Sequence, residues 1–197
     1  MKRIIFMLLA LVISSCGISD SATPLATDEP TEILLPTVTP VCISPEPTQQ
    51  DIDRALSYAA EAIDPAEWER TYTVSESRVS VTWFNDPQGA IIFLEALIFP
   101  CQYEEPGLDA YFGDGNWEAI FSNFEIYEML DECNTDDGLR LYEFDAVSRG
   151  SDYEVRYWVE NDTATRVITT MMTFPVGSEP LLDEYAFHLF PDLTTCS

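Results

Sequence analysis

The sequence predicts an α+β domain in which an antiparallel sheet is covered by helices. Every tryptophan and tyrosine, and ten of the eleven phenylalanines, follow residue 50, so residues 50–197 have the side chains to form a core. Short alternating segments in this part are separated by tight turn sequences, which is typical of antiparallel strands. The predicted order of elements is α-ββ-α-ββββ-α, and it points to one α+β domain over 50–197.

The first element is predicted as a helix over 49–63. Thr48 is suited to cap its N-terminus. Its apolar residues fall on one face at helical spacing: Ile52, Ala55, Leu56, Ala59 and Ile63. Asp64-Pro65-Ala66-Glu67 then predicts a second helix start, because proline is favoured at the first helical position.

A strand is predicted over 71–83, where Val79, Val81 and Trp83 alternate with polar residues. The turn sequence Asn85-Asp86-Pro87-Gln88-Gly89 follows. The continuous apolar run over 90–100 is predicted as a buried strand paired with the previous one. Leu94-Glu95-Ala96-Leu97 leaves a helix as the alternative.

The second half is predicted as two short helical pieces, four strands and a final helix. The helical pieces cover 106–112 and 117–124, the second capped by Asn116. The strands cover 125–132, 139–147, 153–160 and 164–174, with turns at 134–138, 148–152 and 161–163. The final helix covers 179–190 and stops at Pro191. This order of elements is similar to that of the photosystem-extrinsic and Ran-binding (PsbP/Mog1-like) fold group.

Apart from Cys16, the chain has four cysteines, which predict two disulfides: Cys42, Cys101, Cys133 and Cys196. Three pairings are compatible with the sequence. We favour Cys101–Cys133, which brackets the helical insertion, and Cys42–Cys196, which joins the two ends of the domain. Zinc is the alternative, but no paired C-x-x-C spacing occurs and the chain has one histidine, His188.

The N-terminus has the pattern of an export signal. Lys2 and Arg3 precede an apolar run over 4–13, which is shorter than the roughly 20 residues of a membrane-spanning helix. The stretch Ile13-Ser14-Ser15-Cys16 resembles the bacterial lipobox, in which an aliphatic residue and two small ones precede a cysteine. The resemblance implies a signal peptide over 1–15, a diacylglyceryl group on Cys16, and a lipoprotein anchored in the cell envelope and facing outside the cytoplasm. An ordinary cleaved signal is the alternative.

Residues 16–49 are predicted to be a lipidated stalk. Residues 17–49 hold six of the thirteen prolines, with no aromatic and no basic residue, so they cannot bury enough apolar surface to fold alone. Beyond residue 15 the chain carries seven arginines, no lysine and 35 acidic residues, a formal charge of −28. Such a charge repels phosphate backbones and anionic lipids, so we exclude nucleic acid as a partner and expect contact with the membrane through acyl chains.

No catalytic, cofactor or metal motif is present in the sequence. His188 lies among apolar residues of the last helix, so we expect it to be a partly buried packing residue rather than a base. Carboxylates alternate with aromatic residues in the 104–118 region, and they are Glu104, Glu105, Asp109, Asp114 and Glu118. A solvated loop over the core is the favoured interpretation of this region. The alternative is that two such groups in a cleft act as acid and base on a glycan.

The predicted hairpins place a set of arginines and aromatics on one sheet face. Arg156 would face Phe144, and Arg140 would face Glu160. This set includes Tyr142, Arg156, Trp158 and Arg166. A structural ladder of cross-strand cation–π and ion pairs is the favoured interpretation, and a candidate ligand face is the alternative.

These observations favour a non-enzymatic, lipid-anchored binding or envelope-interaction module without a cofactor. Its expected partner is a glycan, a cationic molecule or a protein of the envelope. The alternative is an envelope glycan hydrolase that uses carboxylates of the 104–118 region.

Overall fold

The computed structural model describes residues 46–60, 62–63, 66–99, 112 and 114–196. These residues form three helices and seven strands in the order α-βββ-α-ββββ-α. They are α1 Gln49–Tyr58, β1 Glu69–Ser75, β2 Arg78–Asn85, β3 Ala90–Ile98, α2 Asp114–Ile120, β4 Ile126–Asn134, β5 Arg140–Ser148, β6 Ser151–Thr163, β7 Arg166–Pro175 and α3 Glu179–Leu189. The predicted α+β class is confirmed, with one strand more than expected. Membership of the PsbP/Mog1-like group stays a prediction.

All seven strands belong to one antiparallel sheet with the order β1-β2-β3-β7-β6-β5-β4. Two meanders, β1 to β3 and β4 to β7, are joined where β3 pairs with β7. The last strand therefore lies at the centre of the sheet, and β1 and β4 are its two edges.

Helix α1 begins where the sequence predicts it. Thr48 N donates a hydrogen bond to Asp51 Oδ2 at 2.8 Å, and Asp51 N donates to Thr48 Oγ1 at 3.3 Å, which together form a capping box. The helix ends at Tyr58, five residues before the predicted end. Ala60 N and Ala62 N then donate to carbonyls three residues back, and this tighter turn carries Ile63 into the core.

The predicted strand over 71–83 is wrong in one respect, because it is two strands. β1 and β2 form a hairpin closed by Glu76 and Ser77. Neither residue has a positive φ, and neither is a glycine, proline or asparagine. The sequence therefore lacks the signal that usually reveals a two-residue hairpin turn.

The structure also tests the predictions for the apolar run over 90–100 and for the helix capped by Asn116. Residues 90–98 form a strand paired with β2, so the helical alternative for this run is wrong. Helix α2 begins at Asp114, which places Asn116 inside the helix rather than at its cap. Ala66 and Glu67 lie in a turn before β1. Asp64, Pro65 and residues 100–111 lie outside the described part of the chain.

The sheet has a hydrophobic core on each face. We call the face packed by α1 and α3 the back face; its fully buried large side chains are Ile92, Leu94, Leu141, Trp158, Ile168, Met172 and Phe174. The opposite, front face is packed by α2, and Trp117 and Phe121 contact Tyr142, Phe144 and Tyr157 there. Because α2 is only seven residues long, it lies over part of this face, and a groove forms beside it.

Candidate functional site

The four residues of the predicted ligand face do not share one face. Tyr142 lies on the front face, where its ring centroid is 4.8 Å from that of Trp117. Arg156 pairs with Glu143, not Phe144, and Trp158 pairs with Leu141. Arg140 pairs with Val159, not Glu160. The predicted register is wrong by one residue, and in a strand such a shift moves a side chain to the other face.

The cause of the shift is the turn between β5 and β6. Ser148 pairs with Ser151, so Arg149 and Gly150 form a two-residue turn. Their φ angles are +52° and +74°, the type I′ combination that matches the twist of a hairpin. Arginine rarely adopts a positive φ, and the sequence therefore favoured a wider turn over 148–152.

Arg156 is buried on the back face in a cage of oxygen atoms. Its Nη2 lies 2.7 Å from Asp183 Oδ1 and 2.8 Å from Glu154 Oε1, and its Nη1 donates to the carbonyl of Thr194 at 2.9 Å. Burial acts to lower the pKa of Arg156, but the hydrogen bonds to Asp183 and Glu154 outweigh it and raise the pKa. This arginine therefore holds α3 and the C-terminal segment on the sheet.

Arg166 is also buried and joins β7 to α1. Its Nη1 lies 2.6 Å from Asp51 Oδ1, and its Nη2 contacts Asp162. Asp162 in turn pairs with Arg54 Nη2 at 2.9 Å. Burial acts to raise the pKa of Asp51, but hydrogen bonds from Thr48 and Arg166 hold it below its ordinary value of 3.8. The network is internally paired and joins helix to sheet.

Trp158 is fully buried under the C-terminal segment. Its ring stacks on Phe190 with the centroids 4.6 Å apart, and its Nε1 donates to the carbonyl of Leu193 at 2.8 Å. Three of the four residues of the candidate ligand face are thus structural on the back face, as the favoured interpretation implied, although their partners differ from the predicted ones.

The described disulfide joins Cys133 on β4 to Cys196 in the C-terminal segment. This pairing contradicts both favoured pairs, Cys101–Cys133 and Cys42–Cys196. The reason is topological, since the C-terminal segment passes along the back face to β5, where Cys196 N lies 3.4 Å from Glu143 Oε1. Cys42 and Cys101 lie outside the described residues.

A group beside this disulfide resembles a metal site without being one. Ligand atoms of Asp131, Glu143 and Cys196 lie within 4.8 Å of one another. The sulfur of Cys196 is bonded to Cys133, so it is not available as a thiolate ligand. Two carboxylates remain, and burial raises the pKa of Glu143, which favours its protonated form.

The carboxylates of the predicted hydrolase site are mostly beyond the described residues. Glu104, Glu105, Asp109 and the side chain of Asp114 fall outside them, as does Cys16. Glu118 is exposed on α2, and His188 is exposed on α3, so the expectation that His188 packs partly buried is wrong.

The groove on the front face contains two adjoining cavities of about 290 Å³ each. Four residues line both cavities: Phe93 on β3, Met171 on β7, Ile120 at the end of α2, and Asn123 after it. Phe93 and Met171 are paired across neighbouring strands, so together they form a continuous apolar floor. Asn123 is exposed at the rim.

One end of the groove is apolar and aromatic, and the other is charged. The apolar end adds Ile91, Phe124 and Tyr153 to the shared floor. At the charged end, Arg78 Nη1 lies 3.3 Å from Glu95 Oε1, and Ser80 Oγ donates to the same oxygen at 2.9 Å. The two ends of the groove therefore differ in polarity, as the two ends of an amphipathic molecule do.

A buried hydroxyl at the apolar end lacks a partner. Thr173 is 3% exposed and lines the groove, and its Oγ1 makes no hydrogen bond within the described part of the chain. A buried polar atom is normally satisfied by protein, water or ligand. Thr173 thus provides a polar contact point beside the apolar floor of the groove.

The groove has almost no signature in the sequence. Ile91, Phe93 and Met171 lie in strands that are apolar on both faces, so periodicity does not separate the groove floor from the back core. The only local signal is Glu95, a charge inside an apolar run, which lies opposite Ser80 and forms an ion pair with Arg78.

Comparisons with known proteins leave the family open. No protein-family model and no curated protein matches the sequence. Among solved structures, the crystal structure of human STARD10 is similar at 11% identity over 78% of this chain and 86% of that chain, with a TM-score of 0.29. This similarity is too low to assign a fold or a ligand. In the described residues no helix has the length and apolar character needed to cross a bilayer.

Proposed function

We propose that the protein is a non-enzymatic binding module of the cell envelope, which binds a small amphipathic ligand in the front-face groove. The observation that carries the proposal is the pair of adjoining cavities with an apolar floor and a charged end. Their individual volumes are at the lower limit of typical ligand pockets, about 300 Å³, and together they can hold a larger molecule.

The ligand that fits places its apolar part on Phe93 and Met171 and its polar group near Arg78 and Glu95. Thr173 Oγ1 adds a hydrogen-bonding group within the apolar end. Arg156 and Arg166, the two arginines of the candidate ligand face, are instead paired with carboxylates under helices α3 and α1.

The proposed location follows from the lipobox-like stretch that ends at Cys16. Acyl chains on Cys16 would hold the domain at the membrane through the stalk over 16–49. Metabolic labelling with an alkyne fatty acid tests this directly. We expect the wild-type chain to be labelled and Cys16→Ala to be unlabelled and released from the membrane fraction; labelling of Cys16→Ala would contradict the assignment.

The fluorescent dye 1-anilinonaphthalene-8-sulfonate is a suitable probe of the groove, because it joins aromatic rings to an anionic group. Asn123→Trp places a large side chain at the rim of both cavities and should abolish most of the dye fluorescence. Asn134→Trp, at an exposed asparagine at the end of β4, is the matched control and should leave it unchanged. Equal fluorescence of the two variants would refute the groove as the binding site.

The charged end is tested with the same dye. Arg78→Gln should weaken dye binding, because the sulfonate loses its cationic contact. Arg70→Gln removes an exposed arginine of β1 on the back-face side of the sheet, away from the groove, and serves as the control. If both variants bind the dye equally well, Arg78 is not part of the site.

A further inference from the structure

Strand β1 is an exposed edge of the sheet. All seven of its residues are exposed, and in the described chain it pairs with β2 alone. Tyr72 and Val74 are 54% and 46% exposed on the back-face side of this edge. An exposed edge strand with apolar side chains is a template for pairing with another strand.

The other edge of the sheet is protected against such pairing. β4 carries Glu128, Asp131 and Glu132, and its register shifts between Met129 and Asp131. Charges and irregularities of this kind prevent the approach of a further strand. β1 has neither protection over residues 71–75, whose sequence is Thr-Tyr-Thr-Val-Ser.

The β1–β2 turn determines which backbone groups of β1 face outward. Ser75 and Arg78 flank a two-residue turn, so they form a hydrogen-bonded pair. Along an antiparallel ladder, hydrogen-bonded pairs alternate with non-hydrogen-bonded pairs. The N–H and C=O groups of Thr71, Thr73 and Ser75 therefore point to β2. Those of Tyr72 and Val74 point outward.

We propose that β1 pairs antiparallel with β1 of a second copy of this chain, with the twofold axis at Thr73. In this register Tyr72 lies opposite Val74 of the second copy, an aromatic and a β-branched residue that pack well across strands. Arg70 lies opposite Glu76 of the second copy, and the symmetry repeats both contacts. The pairing therefore places opposite charges together at both ends.

Charge supports a second copy as the occupant of this edge. The whole chain carries a formal charge of −26, which opposes self-association over most of its surface. The β1–β2 hairpin is locally neutral, with two acidic residues, Glu69 and Glu76, and two basic ones, Arg70 and Arg78. Two copies can thus meet here without bringing like charges into contact.

Disulfide trapping in the full chain tests the register. At the twofold axis the two Thr73 residues form a non-hydrogen-bonded pair with Cα atoms about 4.5 Å apart, within the range that a disulfide spans. Thr73→Cys should form a covalent dimer on a non-reducing gel. Thr71→Cys is the matched control on the same strand and face, and its two copies lie roughly 14 Å apart along the strand.

We expect Thr73→Cys to form more covalent dimer than either Thr71→Cys or the wild-type chain. Equal levels in all three chains would overturn the proposal. If Thr71→Cys is the better trap, the register is different and the proposal is equally wrong.

A charge exchange provides a second test, in which Thr73→Cys serves only to report dimerisation. Arg70 and Glu76 are both exposed, so reversing the charge of either residue should leave the fold intact. In the Thr73→Cys background, Arg70→Glu or Glu76→Arg alone creates two like-charge contacts and should weaken dimerisation by about tenfold. The double variant restores both ion pairs and should recover dimerisation. No recovery would exclude this pairing.

Discussion

Replacing Cys133 and Cys196 by serine should lower the free energy of unfolding by about 4 kcal/mol. The bond closes a loop with a sequence separation of 63 residues. In the chain-entropy model, such a loop removes about 14 cal/mol/K from the unfolded ensemble, which is about 4 kcal/mol at 25 °C. For a domain of this size, the loss corresponds to a fall of about 8–16 °C in Tm.

The native contacts around the bond indicate what else is lost. The C-terminal segment that it holds provides the carbonyl of Leu193 to Trp158 and that of Thr194 to Arg156. Both donors are buried, so release of the segment would leave them exposed or unpaired. The double variant should therefore also expose Trp158.

Urea unfolding followed by tryptophan fluorescence measures the effect. The wild-type protein in reducing agent is the control and should have the same midpoint as the Cys133→Ser/Cys196→Ser variant in the same buffer. Peptide mapping under non-reducing conditions should yield the Cys133–Cys196 peptide. A loss below about 1 kcal/mol, or a Cys101–Cys133 peptide, would refute the reasoning.

Three further substitutions test the internal contacts by chemical denaturation. Asp51→Asn should cost about 2–3 kcal/mol, because Arg166 loses one of two buried carboxylates, whereas the exposed Asp53→Asn should cost less than about 0.5 kcal/mol. Since the pKa of Asp51 in the folded state lies below 3.8, the stability that its carboxylate contributes is present above pH 3.8 and is lost as the pH falls through the folded-state pKa. Asp51→Asn should not show this loss of stability in acid. Identical acid unfolding curves for the two proteins would contradict the pairing of Asp51 with Arg166. Thr173→Val should raise stability by about 1 kcal/mol or more in ligand-free protein, because it removes an unpartnered buried hydroxyl, and a destabilised variant would mean that the hydroxyl is satisfied. Trp158→Phe should cost about 1–3 kcal/mol, because a carbonyl of the C-terminal segment loses its donor, and an unchanged midpoint would show that this hydrogen bond adds nothing.

Much of the secondary structure was predictable because its signals are local. Thr48 caps α1, as predicted. Residues 86–89 form the predicted turn, which contains a proline and has Gly89 at a φ of +63°. The four strands of the second meander were predicted within three residues of their ends. The hairpin at Glu76 and Ser77 was missed, because its turn residues have no distinctive chemistry.

The site was not predictable, because it depends on register and coverage. A two-residue turn at Arg149 and Gly150 in place of a wider one put Tyr142 on the other face from Arg156. The path of the C-terminal segment then buried Arg156 and Trp158. Neither the choice of turn nor that path has a local signature.

The sequence by itself determined the class of the fold, the strongly negative charge and the position of most elements, because composition and periodicity act through neighbouring residues. The tertiary structure decided the pairing of Cys133 with Cys196, the burial of the arginines and the groove on the front face. These features arise from contacts between segments far apart in the chain. A shift of one residue in a strand leaves its pattern of apolar residues unchanged but exchanges the two faces of the sheet.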